Sequence, residues 1–122
     1  MAVILVIDDE APMRRLIGRI LKQRGHVVHE AANGRQGLDI FRQLRPALVI
    51  SDIVMPEGEG IETIRQIRME APDTPILAIS GGSSPSLYLR AANSLGASAS
   101  LEKPFKRDDL TMIVESLLRP AR

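Results

Sequence analysis

The stretch that decides the fold is Val3-Ile-Leu-Val-Ile-Asp8-Asp9, in which five consecutive apolar residues run directly into two acids. A continuous apolar run rich in β-branched residues is typical of a strand that is buried on both faces of a parallel sheet. Apolar residues then recur with helical spacing at positions 13, 16, 17, 20 and 21. Pro12 suits the first turn of that helix, and Gly25 suits the position just after it. The first 25 residues therefore predict a strand followed by a helix.

The same alternation of strand and helix continues along the chain. Further strands are predicted over 26–31, 47–51, 75–80 and 98–102, and apolar stripes of helical spacing follow each of them. The later helices are predicted to end near Pro46, Pro72, Gly96 and Pro120. Strands that alternate with helices of this length predict an α/β fold, with a parallel sheet, right-handed crossovers and helices on both faces. The second strand is the most polar, so we expect it near an edge of the sheet.

Length and composition narrow the possible classes of protein. One compact domain typically needs roughly 100–200 residues, so the 122 residues predict a single domain over 1–122, and we expect no effector domain. The net charge of +1 gives no reason to expect nucleic acid or an anionic membrane as a partner. There are no cysteines, and no apolar run is long enough to span a membrane. The first residues lack the features of a signal peptide, so we expect none. We expect a cytoplasmic protein.

Polar residues follow four of the five predicted strands. They are Asp8-Asp9, Ser51-Asp52, Ser80 with Gly81-Gly82, and Glu102-Lys103-Pro104. Ligands of open α/β sheets bind beyond the carboxyl ends of the strands, so these side chains are expected to meet at one rim. Three carboxylates, a hydroxyl and an ammonium would then lie close together.

Such a rim suits phosphoryl transfer with a hard metal ion. Clustered carboxylates need a counter-charge. Mg²⁺ prefers carboxylate and water oxygens, and the absence of nearby His or Cys argues against zinc. Asp52 follows the most central strand and is the candidate nucleophile for an acyl phosphate, whereas Asp8 and Asp9 form an adjacent metal-binding pair. Lys103, Ser80 and the backbone N–H groups of the two glycines would neutralise phosphoryl oxygens.

The four motifs also match a known family in order and position. Val-Ile-Asp8-Asp9-Glu, Asp52-Ile-Val-Met-Pro56, Ser80-Gly-Gly and Lys103-Pro-Phe105 resemble the receiver domains of two-component response regulators, and the resemblance runs from about Val3 to Leu118. It implies a stand-alone, chemotaxis-regulator-like domain. The implied fold is a (βα)₅ flavodoxin-like, doubly wound parallel sheet of five strands in the order 2-1-3-4-5.

The resemblance implies a role for each site residue. Asp52 resembles the phospho-acceptor, Lys103 the lysine that pairs with the phosphoryl oxygens, and Ser80 the hydroxyl switch. The peptide bond before Pro104 is expected to be cis. The metal ligands that the resemblance implies for Mg²⁺ are Asp8, Asp9, Asp52 and the backbone carbonyl of Val54.

The resemblance also implies partners and a mode of action. A sensor histidine kinase or a histidine phosphotransfer protein would donate the phosphoryl group, and an unidentified downstream protein would read the result. The domain would be a monomer or a phosphorylation-dependent dimer, and would catalyse only its own phosphorylation and dephosphorylation. Two departures stand out: Ser100 lies where the family usually has an aromatic residue, and the segment 55–60 contains two glycines that we expect to make it mobile.

Other functions stay open beside this one. An aspartyl-nucleophile phosphatase normally carries a second acid two residues after the nucleophile, where this chain has Val54. A nucleotide- or flavin-binding module would need a glycine-rich loop after the first strand, but the loop here starts Asp8-Asp9. A scaffold that keeps the fold without phosphorylation is favoured only by Ser100.

Two groups of basic residues can be explained without a function. Five basic residues crowd the first helix, where a solvated face is the simplest explanation and a docking surface for the phosphodonor is the alternative. His26 and His29 lie on the expected edge strand, and we expect both side chains to be exposed. The basic residues of the first helix are Arg14, Arg15, Arg19, Lys22 and Arg24.

Overall fold

The computed structural model describes residues 1–56, 59–81 and 85–119. Five strands alternate with five helices, as the sequence predicts. The strands are β1 (Val3–Ile7), β2 (Val27–Ala31), β3 (Leu48–Asp52), β4 (Ile76–Ser80) and β5 (Ala99–Glu102). The helices are α1 (Ala11–Gln23), α2 (Gly34–Leu44), α3 (Glu59–Glu70), α4 (Pro85–Ser94) and α5 (Arg107–Leu118).

The strands form one parallel sheet in the order β2-β1-β3-β4-β5, which confirms the predicted topology. The polar strand β2 lies at an edge, and β3 lies at the centre. Asp52 is the last residue of β3 and pairs in register with Ile79 of β4. The central position predicted for Asp52 is therefore confirmed.

Alternate residues of the strands build two aliphatic cores, one on each face of the sheet. Ile4 and Val6 point to the face that α1 and α5 cover, and Leu5 and Ile7 point to the face that α2, α3 and α4 cover. Strands buried on both faces need apolar residues at every position, which explains the unbroken run at 3–7. In the described residues, no helix has the length and apolar character needed to cross a membrane.

Local signals at the helix ends act as the sequence indicates. Pro12 lies in the first turn of α1, and Gly25 follows this helix with a φ of 89°, in the left-handed region that favours glycine. Asn33 caps α2 by accepting a hydrogen bond from the backbone N–H of Gln36 at 2.8 Å. Gly96 has a φ of 112° just after α4. The predicted stop at Pro120 lies outside the described residues.

Two expectations are corrected by the structure. His26 is nearly buried: its Nδ1 accepts from the backbone N–H of Ala2 at 3.1 Å, and its Nε2 lies 3.4 Å from Glu115 Oε1. The expectation that His26 is exposed is therefore wrong, because its side chain lies between the N-terminal residues and α5. His29 is partly buried on β2.

Gly60 is not part of a mobile loop but a buried residue in the first turn of α3. A side-chain carbon there would come within 2.5 Å of the Asp52 carbonyl oxygen and of Ile53 Cα. The glycine therefore lets α3 begin directly against the end of β3. The expectation of mobility for Glu57 and Gly58 falls outside the described residues, as does the expected contribution of Gly82.

Candidate functional site

The candidate site lies at the carboxyl ends of β1, β3 and β5. Asp8 follows β1 directly, Asp52 ends β3, and Lys103 follows β5. The Asp8 and Asp52 side chains are 1% and 3% exposed, although both are carboxylates. Buried carboxylates need a paired charge or hydrogen bonds to be tolerated, and the site provides both.

Lys103 supplies the paired charge from the opposite side of the rim. Its Nζ lies 3.1 Å from Asp8 Oδ2 and 3.3 Å from Asp52 Oδ2. A third carboxylate, that of Glu10, lies 3.3 Å away through Oε1. One ammonium therefore pairs with carboxylates that follow or end two separate strands, and offsets one of their three negative charges.

The buried carboxylates are oriented by the backbone that follows them. Asp8 Oδ1 accepts from the backbone N–H of Glu10 at 2.9 Å, and Asp52 Oδ1 accepts from that of Val54 at 3.0 Å. In each carboxylate, one oxygen thus accepts a hydrogen bond from the backbone two residues later, and the other oxygen faces Lys103. The second bond also holds the Val54 peptide beside the Asp52 carboxylate.

The path of Lys103 is set by its neighbour strand. The Lys103 backbone N–H donates to the Ser80 carbonyl at 2.7 Å, which extends the pairing of β5 with β4. The Lys103 side chain then crosses Gly81, where a side-chain carbon would lie 2.8 Å from Lys103 Cβ. The peptide bond between Lys103 and Pro104 is cis, as expected.

Burial and charge shift two pKa values in the site. Burial raises the pKa of Asp52 to about 6; the Val54 N–H and the Lys103 ammonium oppose this rise, and the Asp8 carboxylate adds to it. Burial acts to lower the pKa of Lys103, but the Asp52 and Asp8 carboxylates outweigh it, so the Lys103 pKa is raised. Near neutral pH the lysine is charged and Asp52 is predominantly ionised, which is the state that a nucleophile requires.

The structure brings together most, but not all, of the predicted site residues. Asp8, Glu10 and Asp52 each offer a carboxylate oxygen, and these oxygens all lie within 4.8 Å of one another. Asp9 is exposed, and its carboxylate is not a member of this group. The third carboxylate of the group belongs to Glu10, which sequence reasoning did not select.

The donor set fits a hard divalent cation. Carboxylate oxygens at this spacing, with no His or Cys in the group, are the ligands that Mg²⁺ prefers. Asp8, Asp52 and Glu10 are within reach of a common ion, and the Val54 peptide lies beside them.

Ser80 ends β4 with a fully buried side chain. Among the described residues, its hydroxyl oxygen has no hydrogen-bond partner. A buried hydroxyl without a partner is unfavourable, so a partner brought by function is a natural explanation. By contrast, the neighbouring Ser51 hydroxyl donates to the Asp52 carbonyl at 3.0 Å.

Two more side chains make contacts that the sequence argument did not predict, and one of them, Arg14, had been interpreted only as part of a solvated face or a docking surface. Arg14 donates from Nη1 to the Asp8 carbonyl at 2.9 Å and from Nε to Glu30 Oε1 at 3.2 Å, so it braces the end of β1. Glu59, at the start of α3, accepts from the backbone N–H groups of Gly34 and Arg35 at the start of α2. An acid at a helix N-terminus is a usable signal, but only the fold shows which helix it caps.

Comparison with known proteins identifies the class that this fold and site define. The model of the response regulator receiver domain matches residues 4–115. This chain therefore belongs to the response regulator receiver domain family. The expected resemblance is therefore confirmed.

Particular relatives agree with this membership. The response regulator MprA of Mycolicibacterium vanbaalenii is 36% identical over 116 residues, which cover 95% of this chain and 50% of the relative. The regulatory protein AtoC of Escherichia coli is 33% identical over 95% of this chain and 25% of its own length. The chain thus spans half or less of the length of these curated relatives.

Solved structures confirm the fold. The receiver domain of NtrX from Brucella abortus superposes with a TM-score of 0.89 at 32% identity, covering 94% of this chain and 97% of that one. The chemotaxis protein CheY4 of Vibrio cholerae gives a TM-score of 0.87 at 32% identity, covering 97% and 99%. The flavodoxin-like architecture of the chain is that of these receiver domains.

Proposed function

We propose that this receiver domain is a cytoplasmic, phosphorylation-dependent switch that accepts a phosphoryl group on Asp52. The donor is a phosphohistidine on a sensor histidine kinase or a histidine phosphotransfer protein. The signal passes on through binding to another protein or through onward transfer of the phosphoryl group. The domain catalyses its own phosphorylation and dephosphorylation and turns over no separate substrate.

The observation that carries the proposal is the position of the Lys103 ammonium between two buried carboxylates. Its Nζ lies within 3.3 Å of both Asp8 and Asp52. A lysine there can transfer its contact from a carboxylate oxygen to a phosphoryl oxygen without leaving the site. Electrostatic neutralisation of this kind is the main requirement of phosphoryl transfer.

The step itself uses Asp52 as nucleophile. A carboxylate oxygen of Asp52 attacks phosphorus in line with the bond from phosphorus to the donor's imidazole nitrogen. The new oxygen–phosphorus bond forms as the phosphorus–nitrogen bond breaks, and the imidazole nitrogen keeps the electron pair and can take a proton from water. The product is an acyl phosphate on Asp52 and a free histidine on the donor.

The other site residues have supporting roles in this proposal. Asp8, Asp9, Asp52 and the Val54 carbonyl would hold Mg²⁺, which supplies positive charge to the phosphoryl oxygens. Asp9 would have to turn inward from its exposed position to do so. The Ser80 hydroxyl, buried and without a partner among the described residues, would donate to a phosphoryl oxygen.

The output of the switch is proposed to use the face around β5. Ser100 lies in the middle of this edge strand, paired in register with Ala78, where the family usually has an aromatic residue. An aromatic side chain therefore cannot report the state of the site at this position. The change at Ser80 and Lys103 would reach β5 through the backbone bond that joins these two residues.

The experiment that tests the proposal is phosphorylation by a small donor. The protein is incubated with acetyl phosphate and Mg²⁺, and its intact mass is followed. We expect one phosphoryl adduct that is labile in base, disappears with a chelator and does not form in Asp52→Asn. An adduct in Asp52→Asn, or none in the wild type, would overturn the proposal.

Two alternatives predict different results in the same assay. A phosphatase would consume acetyl phosphate continuously, but Val54 cannot act as the general acid that such an enzyme needs two residues after its nucleophile. A scaffold without phosphorylation would show no adduct under any condition. The chemical groups required for phosphorylation favour the switch.

A further inference from the structure

We propose that Glu10 is the exchangeable partner of Lys103. It holds the ammonium in the resting site and yields its place to a phosphoryl oxygen of the incoming donor while Asp52 is still a carboxylate. This inference rests on the proposed function, because it concerns how the same lysine passes from carboxylates to a phosphoryl group. It makes Glu10 a positioning residue that acts through Lys103.

The ammonium of Lys103 can donate only a limited number of hydrogen bonds. A lysine ammonium has three N–H bonds. Three carboxylate oxygens surround that of Lys103, with Asp8 at 3.1 Å and Asp52 and Glu10 at 3.3 Å each. While Asp52 is still a carboxylate, each N–H thus has one acceptor, so a phosphoryl oxygen of an incoming donor can gain a hydrogen bond only if one carboxylate gives up its own.

Burial determines which carboxylate is released. The side chains of Asp8 and Asp52 are 1% and 3% exposed, whereas that of Glu10 is 67% exposed. A buried carboxylate that loses its cation is left without solvation, which is strongly unfavourable. Glu10 can turn into water, where its charge is hydrated, and so its release has the lowest cost.

The local backbone explains why Glu10, and not Asp9, has this position. The Glu10 backbone N–H donates to Asp8 Oδ1 at 2.9 Å and closes a tight turn just after β1. Glu10 then reaches Lys103 beside Asp8, while Asp9 is exposed and outside the group of carboxylates. The turn therefore supplies one permanent partner of the lysine and one that can leave.

We therefore expect Glu10 to lower the rate of phosphorylation slightly. The contact with Glu10 must break before Lys103 can receive the new oxygen, and the Glu10 charge also repels the incoming phosphoryl group. Exposed ion pairs of this kind change an equilibrium by a factor of about two to five. Removing the Glu10 charge should therefore accelerate phosphorylation by about this factor.

The test compares Glu10→Gln with wild type and with Glu102→Gln. Glu102 is exposed and precedes Lys103 in the chain, and no contact between its carboxylate and the Lys103 ammonium occurs in the described structure. It therefore controls for the loss of one negative charge at the same rim. Phosphorylation by acetyl phosphate is timed by intact mass at saturating Mg²⁺, and Mg²⁺ affinity is measured separately by NMR titration.

We expect Glu10→Gln to be phosphorylated about two- to fivefold faster than wild type, with Mg²⁺ affinity changed by less than about threefold. Glu102→Gln should stay close to the wild-type rate. A purely structural role for Glu10 could only lower the rate, so acceleration is diagnostic.

An unchanged rate in Glu10→Gln, or equal acceleration in Glu102→Gln, would overturn the inference. So would a slower rate together with much weaker Mg²⁺ binding, because Glu10 would then be a metal ligand. If wild type forms no adduct, the proposed function fails as well. If wild type is phosphorylated and Glu10→Gln is not accelerated, only the inference about Glu10 fails.

Discussion

Asp8 and Asp52 use their two carboxylate oxygens in the same way. One oxygen accepts a backbone N–H two residues later, and the other faces Lys103. This arrangement fixes the carboxylates before any ligand arrives, so little reorganisation is needed when charge develops on a phosphoryl group. The two acids are held by hydrogen bonds on both oxygens, whereas the Glu10 side chain is exposed to solvent.

The first prediction at this scale concerns the pH dependence of stability. Because the pKa of Asp52 is raised to about 6 in the folded protein, from about 3.9 in the unfolded chain, the folded state binds this proton more tightly. The favourable contribution is full below about pH 4 and is lost as the pH rises through about 6. Asp52→Asn removes this loss, so the variant should gain stability over wild type as the pH rises.

Urea unfolding of both proteins in metal-free buffer measures the effect. The free energy of unfolding of Asp52→Asn, relative to that of wild type, should increase by about 1 to 2 kcal/mol from pH 4 to pH 7.5. A difference that stays constant or decreases over this range would contradict the raised pKa. The comparison at each pH cancels the titration of groups outside this site.

The second prediction concerns the passage of Lys103 across Gly81. In Gly81→Ala, a new side-chain carbon would lie 2.8 Å from Lys103 Cβ, so the lysine must move away from the carboxylates. We expect phosphorylation by acetyl phosphate to slow about tenfold or more, because a positioned cation is lost. Gly18→Ala, where the new side-chain carbon meets Glu30 and Val28 and not Lys103, is the control; equal rates in both variants would argue against the positioning role of Gly81.

At the scale of helices and strands, two helical glycines have opposite surroundings. Gly18 in α1 has Glu30 Oε2 at 3.4 Å and Val28 Cγ1 at 3.6 Å from the place of a side-chain carbon, which is ordinary contact. At Gly37 in α2, the same carbon would lie 2.5 Å from Ile7 Cδ1. Gly37 is therefore required for α2 to approach β1, whereas Gly18 is not required by packing.

The third prediction follows from this difference. Gly18→Ala should raise the free energy of unfolding by about 0.5 to 1 kcal/mol, because alanine is the better helix former. Gly37→Ala should lower it by about 1 to 3 kcal/mol through overpacking against Ile7. Chemical denaturation of both variants provides the measurement, and a destabilised Gly18→Ala would show that the Glu30 carboxylate cannot move aside.

The helices and strands were predictable because their signals are local. Unbroken apolar runs indicated strands buried on both faces, and Gly25 and Gly96 indicated helix ends that the structure confirms. Contacts between distant segments were not predictable in the same way. The burial of His26 depends on α5, and the role of Gly60 depends on how closely α3 approaches β3.

At the scale of the whole molecule, the parallel sheet brings residues 8, 52 and 103 together although they are far apart in sequence. The order β2-β1-β3-β4-β5 makes β1 and β4 the neighbours of β3, and the backbone bond from Lys103 to Ser80 carries the lysine back towards the centre. The meeting of Asp8, Asp52 and Lys103 was predictable, because carboxyl ends of parallel strands share one rim. The choice between Asp9 and Glu10 was not, because a single turn determines it.

The fourth prediction links metal binding to the stability of the whole domain. Under the proposed function, Mg²⁺ binds the folded site and not the unfolded chain, so it should stabilise the wild type by about 1.4 kcal/mol at ten times its dissociation constant. Thermal unfolding with and without Mg²⁺ measures this effect. Asp52→Asn should lose most of the stabilisation, whereas Glu62→Gln, an exposed acid paired with Arg65, should keep it. Stabilisation that is equal in all three proteins would place the ion elsewhere.

The central claim, that Asp52 is the nucleophile, is tested most directly by locating the phosphoryl group. Borohydride reduces an aspartyl acyl phosphate to homoserine, which marks the modified residue permanently. After phosphorylation by acetyl phosphate with Mg²⁺ and borohydride treatment, tandem mass spectrometry should find homoserine at position 52 and not at 8 or 9. Homoserine at either of those positions, or at no position in a protein that carries the phosphoryl mass, would contradict the account.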